Sequence, residues 1–527
     1  MSNKDTYLDS SLTNIFSFNT EVVPLVHGAN YFTAINEWIS KTTGRPDGEE
    51  PDSVYIVGFQ VDPTLNLTTG AVNGPGQLGP LLITKAMEGV DVRVIYNGSP
   101  YFSHIKGVPY RKNLEAAEKL RTFIPPGEAS PPLAGRVLWD WCGAQVTGSN
   151  HQKATVIKVG TELVAFVGGM DMVEDHWDTI AHNQKIWTDK SPWGWHDIGV
   201  MLRGEAAKGA WDNFRSRWTE ARTLSRKQYN FFPGDEQRSE WHEFNPQPIL
   251  PPPATMPAPS PAVTSKQSVQ ILRSRFPTKE GPGHPWQNPP PGQIIETFRA
   301  LKRAIEKASR YICIEDQFLK NEWSLPQLIP EEFSIFPYLT AALKATPTLK
   351  VIFFGSGKSD PIDFFPGLRN QTLTDDIQRV VDAVRPPHHP VDLSRNVVSW
   401  RYVNVTVHAK LFIVDDVFAA IGSANLMSRS MYGVDGELHT AIVDDEEDPT
   451  VVSVVRKLRM DLWAEYFGIN VEQPEQRAAL ENLDTALGLW RPGWYAPDPT
   501  LWRTIGNPTG YDPHSRRVEF VGPVGGA

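Results

Sequence analysis

The densest apolar patterning in the chain lies between residues 403 and 421. Val403, Val405 and Val407 alternate with polar neighbours, and Leu411 to Val414 form a short continuous apolar run. Asp415 and Asp416 interrupt it, and Val417 to Ile421 resume it before a Gly-Ser-Ala-Asn turn. Alternation followed by an uninterrupted apolar stretch predicts strand, turn, strand, with a buried hairpin. His408 and Lys410 stand two apart, so on a strand both leave the same face, and Asn425 can return to it after the turn at Gly422 and Ser423.

Upstream, Tyr31, Phe32, Ile35, Trp38 and Ile39 fall at helical spacing behind Asn30 as N-cap, and residues 54–59 read as a strand. A helix over 81–88 closing at Gly89, a strand over 90–96 and another over 136–141 continue an alternation that predicts an α/β domain. The opening pattern then appears a second time. In residues 150–160 and 166–171, His151 and Lys153 repeat the spacing of His408 and Lys410, and Gly168, Gly169 and Asp171 stand where Gly422, Ser423 and Asn425 stand. Strands starting at Tyr55 and Tyr311 precede their histidines by nearly equal distances, and each follows an amphipathic helix. An internal duplication explains this better than two chance motifs.

The expected division is a first half at 1–245, a linker at 246–265, a second half at 266–468 and an extension at 469–527. The linker is rich in proline (Pro246, Pro248, Pro251, Pro252, Pro253, Pro257, Pro259, Pro261), so it is expected to be semi-extended with no core of its own. The extension, with Trp490, Trp494 and Trp502, is expected to pack over the second half.

At 527 residues the chain is long enough for two such units. No run approaches the ~18 apolar residues that cross a bilayer, so no transmembrane segment is expected. With 51 basic and 61 acidic side chains the formal net charge is −10, which argues against nucleic acid as a partner and makes any phosphate affinity local. Cys142 and Cys313 are the only cysteines, which excludes a disulfide framework and a cysteine-based zinc site. The N-terminus lacks the pattern of a secretory signal, so a cytoplasmic place and export without a cleaved signal both stay open. Gly355 to Ser359 looks like the end of a phosphate-binding loop, but Ile352 stands where that loop needs glycine, so a surface turn is expected. The run from Asp444 to Asp448 lacks the spacing of a calcium loop and reads as a solvated turn.

An imidazole that titrates near neutral pH beside a fixed cation and amide donors suits a phosphate ester. The arrangement His-x-Lys-x4-Asp followed by Gly-Ser-x-Asn, here His408, Lys410, Asp415, Gly422, Ser423 and Asn425, resembles the signature of the phospholipase D superfamily. Members of that family use two copies per active site, and the pieces Trp-His-Asp-Ile-Gly at 195–199, Glu-Asp-Gln-Phe at 315–318 and Asp-Gly-Glu at 435–437 resemble those around the family's motifs.

The resemblance implies two related α/β/α sandwich halves with the active site at their interface. It implies His151 as nucleophile and His408 as acid and base, with Lys153, Lys410 and Asn425 holding phosphoryl oxygens. Asp197 and Glu437 would orient the imidazoles, with Asp197 serving the first motif. Asp415 belongs to the implied catalytic set, and Asp171 and Ser423 to the implied substrate contacts. No metal and no cofactor are implied. Lys158 stands where the first motif should carry Asp and is expected to be a change in supporting structure, facing away from His151.

The implied reaction is hydrolysis of a glycerophospholipid at a membrane surface, with peripheral contact by a monomer. It releases phosphatidic acid and a head-group alcohol, with exchange to other alcohols. The rivals are the same chemistry on a non-lipid diester, and an inactive lipid-binding member of the fold.

Overall fold

The computed structural model describes residues 2–12, 15–16, 20–46, 49–98, 109–140, 148–182, 194–224, 248–256, 267–276, 293–319, 331–356, 369–402, 405–445, 453–490 and 518–520. Two sheets carry the fold. The first is built from Thr20–Val26 (β1), Ser53–Gly58 (β2), Asp91–Asn97 (β3), Val137–Asp140 (β4), Ala154–Val159 (β5), Glu162–Gly168 (β6) and Ile198–Gly204 (β7), in the order β1-β7-β6-β5-β2-β3-β4. The second is built from Gln267–Arg275 (β8), Tyr311–Asp316 (β9), Lys350–Ser356 (β10), Val397–Tyr402 (β11), Lys410–Val414 (β12), Phe418–Gly422 (β13) and Glu437–Asp444 (β14), in the order β8-β14-β13-β12-β9-β10-β11. The second order is the first with every strand advanced by seven. In both sheets the last three strands run parallel and the remaining pairings are antiparallel. The halves are a structural duplication.

The parallel strands are buried on both faces, which is why they read as continuous apolar runs. Val54 and Ile56 join an outer core with the helix Gly28–Lys41, whereas Tyr55 and Val57 turn inward. Ile312 and Ile314 likewise face outward to the helix Glu296–Lys307, and Tyr311 and Cys313 face inward. The inward faces of both sheets share one core, completed by the helices Glu205–Leu224 and Val454–Phe467. Each half is an α/β/α sandwich, and the duplicated sheets meet across that shared layer.

Several boundaries differ from expectation. The first long helix starts at Gly28, because the Asn30 side chain donates to the Val26 carbonyl, 2.9 Å away, and does not cap. Residues 405–407 do not run on into β12. They leave the sheet and pair in parallel with Gly194–His196 of the other half, so His408 and Ala409 lie between two strands. Val403 lies outside the described residues.

The boundary at 1–245 is corrected at its beginning. The helix Asn3–Tyr7 and the strand Ile15–Phe16 belong to the second half: Tyr7 stacks on Phe418 with ring centres 5.7 Å apart, and Ile15–Phe16 extends the sheet at β8. This short polar lead cannot form a core alone, and Tyr7 and Leu8 find theirs there.

The linker expectation is corrected as well. Residues 248–256 form a strap along Glu205–Leu224, with Ile249 and Met256 buried in the shared core. Prolines offer acceptors and no N–H, and the carbonyls of Leu250, Pro253 and Ala254 take hydrogen bonds from Trp218, Arg215 and Trp211 at 3.1, 2.8 and 3.1 Å.

At the other end of the chain, Trp490 is buried against Phe467, Trp463 and Trp400, with ring centres 4.9, 5.2 and 5.7 Å away. Trp494, Trp502, the 355–359 turn past Ser356, the acidic run past Asp445 and Cys142 lie outside the described residues.

Candidate active site

His151 and Lys153 lie just before β5, and His408 and Lys410 lie just before and at the start of β12. Each lysine is buried and donates to the carbonyl oxygen of its own motif's histidine, Lys153 at 3.0 Å and Lys410 more closely still. The register of the sheets identifies the carboxylates. Gly168 faces Gly199 and Gly422 faces His439, so Asp197 and Glu437, each two residues earlier, are structural equivalents.

The carboxylates then cross between halves. Glu437 holds Nδ1 of first-half His151 at 3.1 Å, and Asp197 holds Nδ1 of second-half His408 at 2.7 Å. The backbone crosses in the same sense: His151 N donates to Gly436 O and His408 N donates to His196 O, both at 2.8 Å. Each imidazole is thus pinned by the carboxylate of the opposite half and by the peptide just before it. The expectation that Asp197 serves the first motif is corrected. The strand exchange between residues 405–407 and 194–196 carries His408 to Asp197, and a parallel bridge between Asn150 and Gly436 does the same for His151.

Glu437 is fully buried, with hydroxyls donating from Ser423 at 2.5 Å and Ser430 at 2.7 Å. Ser423 was expected to contact substrate. Its hydroxyl is committed to Glu437 and to the Leu438 backbone, so it acts as a positioning residue. Asp197 accepts the Ile198 N–H at 2.7 Å, and burial raises its carboxyl against the pull of Lys410. Gly169 is required beside it: a Cβ there would stand 2.4 Å from Asp197 Oδ1.

Asp171 accepts Gln60 N–H at 2.8 Å and lies 3.3 Å from Lys153 Nζ; burial raises its carboxyl even so. Its counterpart Asn425 is buried, and its Oδ1 has no hydrogen-bond partner. Burial drives the Lys410 ammonium down to about 8 against the pull of Asp197 and Asp316. Lys410 also donates to Gln317 at 3.0 Å.

Asp415 is not in this site. It sits at positive φ in the turn at the far end of β12 and accepts N–H bonds from Ser309, Arg310 and Tyr311 at 2.7, 2.9 and 2.8 Å. Five residues along a strand from Lys410, it reaches the backbone that starts β9, well away from the histidines. Lys158 occupies the equivalent position and pairs with Glu50 at 3.2 Å and the Pro51 carbonyl at 3.1 Å. There Asp52 ties the turn instead, accepting from Gly160 N and Thr43 N at 2.7 and 2.9 Å.

Sequence reasoning missed His176, whose ring is 4.5 Å from that of His408 and 4.6 Å from that of Trp195. Burial and the neighbouring His408 hold it well below the usual imidazole range, so neutral His176 Nδ1 accepts the Asp171 N–H at 3.0 Å. It lies between the motifs with no repeat partner to mark it. Phe59, edge-on to His151 at 5.2 Å and under Lys153 at 4.9 Å, was also missed. Its place at the end of β2 was the available signal.

Two nucleophilic imidazoles with fixed tautomers and two buried ammonium groups can carry a two-step displacement at phosphorus. Among known proteins, a family model described as Phospholipase D matches residues 358–487. The chain is 24% identical over 501 residues to Phospholipase D A of Dictyostelium discoideum, covering 84% of this chain and 35% of that protein. It is 25% identical over 534 residues to Phospholipase D alpha 4 of Arabidopsis thaliana, covering 82% and 64%. The chain therefore spans between about a third and two thirds of the length of these relatives. A solved phosphatidylserine synthase from Haemophilus influenzae aligns with a TM-score of 0.48 at 13% identity, covering 81% of this chain and 83% of that one.

Proposed function

This chain belongs to the phospholipase D superfamily, and from that premise we propose that it is a phospholipase D that cleaves the distal phosphoester of glycerophospholipids. The observation that carries this reading is the reciprocal pinning of His151 by Glu437 and of His408 by Asp197. A carboxylate on each Nδ1 keeps the proton there and turns Nε2 toward substrate.

In the proposed reaction, His151 Nε2 attacks phosphorus and forms a P–N bond while the bond to the head-group oxygen breaks. His408 Nε2–H gives its proton to the departing alkoxide. Water then gives a proton back to His408 Nε2 and attacks phosphorus, the P–N bond breaks, and phosphatidic acid leaves. Lys153 and Lys410 neutralise the phosphoryl oxygens in both steps, and the side-chain N–H groups of Asn425 donate to them. An alcohol that replaces water in the second step gives transphosphatidylation. No helix among the described residues is long and apolar enough to cross a membrane; contact with lipid at the membrane surface is part of the proposal.

The test is release of choline and ethanolamine from mixed phospholipid vesicles, with and without ethanol. Wild type should release head group and form phosphatidylethanol. His151→Ala and His408→Ala should each lower turnover by at least about 10²–10⁴-fold. Well-folded wild type that releases no head group from any lipid would overturn the reading in favour of another diester or of binding alone.

A further inference from the structure

Behind the reaction centre lies a second cluster of titratable groups that the chemistry above does not use. His27 Nε2 is 3.0 Å from Glu465 Oε2, His182 Nε2 is 3.2 Å from Glu465 Oε1, and His196 Nδ1 is 3.4 Å from the same oxygen. The ring centres lie 5.1, 5.2 and 5.9 Å apart, and a ligand atom from each of the four residues lies within 4.8 Å of the others. All four side chains are at least nine-tenths buried.

Two of the imidazoles have their other nitrogen held from outside the cluster. His182 Nδ1 is 2.8 Å from Asp178 Oδ2, and His196 Nε2 is 2.9 Å from Glu315 Oε1. Those carboxylates take the N–H and turn a lone pair inward at His182 Nε2 and His196 Nδ1. His196 Nδ1 is fully buried and has no hydrogen-bond partner. The nitrogens and the carboxylate aimed at one another are held together either by a proton on each imidazole or by a metal cation among them.

We propose that His27, His182, His196 and Glu465 bind one divalent ion of the zinc class, as a structural clasp between the two halves. Three imidazoles and one carboxylate form a normal zinc ligand set. Tetrahedral ligands at Zn–N and Zn–O distances of about 2.0–2.1 Å stand roughly 3.3 Å from one another; here His27 lies 3.0 Å from Glu465 Oε2, His182 and His196 lie 3.2 and 3.4 Å from Oε1, and the four ligand atoms fall within 4.8 Å of one another. The three histidines come from the first half and Glu465 from the helix Val454–Phe467 of the second. His196 is also the residue whose carbonyl holds His408 N at 2.8 Å, so the ion fixes the strand exchange that delivers His408 to Asp197.

The full-length protein is reconstituted with Zn²⁺, desalted and assayed for metal by elemental analysis, and a Co²⁺-substituted sample is read by visible absorption. About one zinc per chain and the intense bands of four-coordinate cobalt are expected. They should persist in His408→Ala, which separates this cluster from His176, Asp197 and His408, and disappear in His182→Ala. Asp178→Asn, a conservative change outside the ligand set, should weaken zinc about 10–100-fold in chelator competition. Folded wild type that retains no more metal than His182→Ala, or only the weak absorption of six-coordinate cobalt, overturns the proposal. The wild-type spectrum decides this even where His182→Ala does not fold, and metal content is read without reference to lipid turnover.

Discussion

Lys158, near the end of β5, and Asp415, in the turn after β12, occupy equivalent positions, and neither touches the imidazoles. Lys158→Asp should therefore leave turnover within about 2-fold of wild type, whereas Asp415→Ala, which strands N–H groups of Ser309, Arg310 and Tyr311, should cost about 1–3 kcal/mol of stability with activity kept in the folded fraction. Urea unfolding and head-group release on the same samples check both, and a catalytic Asp415 would reverse the pattern. Lys410 gives a pH signature. Burial lowers its ammonium to about 8 from 10.5, so the charged form is full below that pH and is lost as pH rises through it. The pH profile of kcat/KM should fall on the alkaline side near 8, and that of kcat at higher pH, because a bound phosphate anion favours the ammonium. Stability runs the other way: between about 8 and 10.5 the unfolded chain binds more protons at this group, so its contribution rises with pH.

Among elements, the hairpins close because glycine stands just past β6 beside Asp197 and at the end of β13 against β14. A Cβ on Gly169 meets Asp197 Oδ1 at 2.4 Å, and one on Gly422 meets His439 Nδ1 and the Leu438 carbonyl at the same distance. Gly169→Ala should displace Asp197 and lower kcat by about 10²-fold, since misplacement by ~1 Å costs that much, while circular dichroism stays native. The segment after the helix Val454–Phe467 buries Leu480, Ala486, Leu489 and Trp490 in the shared core, and Trp490 is its largest side chain there. Trp490→Ala should cost about 3–5 kcal/mol, read as a lower midpoint in denaturant.

At the scale of the whole molecule, the crossing of carboxylates makes each half incomplete. Glu437→Gln should impair the same step as His151→Ala, and Asp197→Asn the same step as His408→Ala. Combining Glu437→Gln with His151→Ala should add little to either alone. Single-turnover kinetics with a substrate carrying a good leaving group separates the steps, because protonation of the leaving group by His408 then matters less. Additive effects within each crossed pair would contradict the geometry.

Much of this was legible in residue order. The repeat of His-x-Lys, the glycine turns and the alternating apolar runs depend on strand periodicity and on local turn chemistry, which act over a few residues. They were enough to give the duplicated α/β halves and to single out His151, Lys153, His408 and Lys410, whereas Asp197 and Glu437 came only from the resemblance of the pieces around them to the phospholipase D motifs. Tertiary structure alone decided which carboxylate serves which imidazole, because strand exchange joins residues 405–407 to 194–196. It also released Asp415 from the site and committed Ser423 to Glu437. The same holds for the proline-rich strap and the N-terminal segment, whose polar sequences carry no period and find their partners only across the fold. His27, His182, His196 and Glu465 have no spacing that links them, and only packing of the two halves brings them to one point.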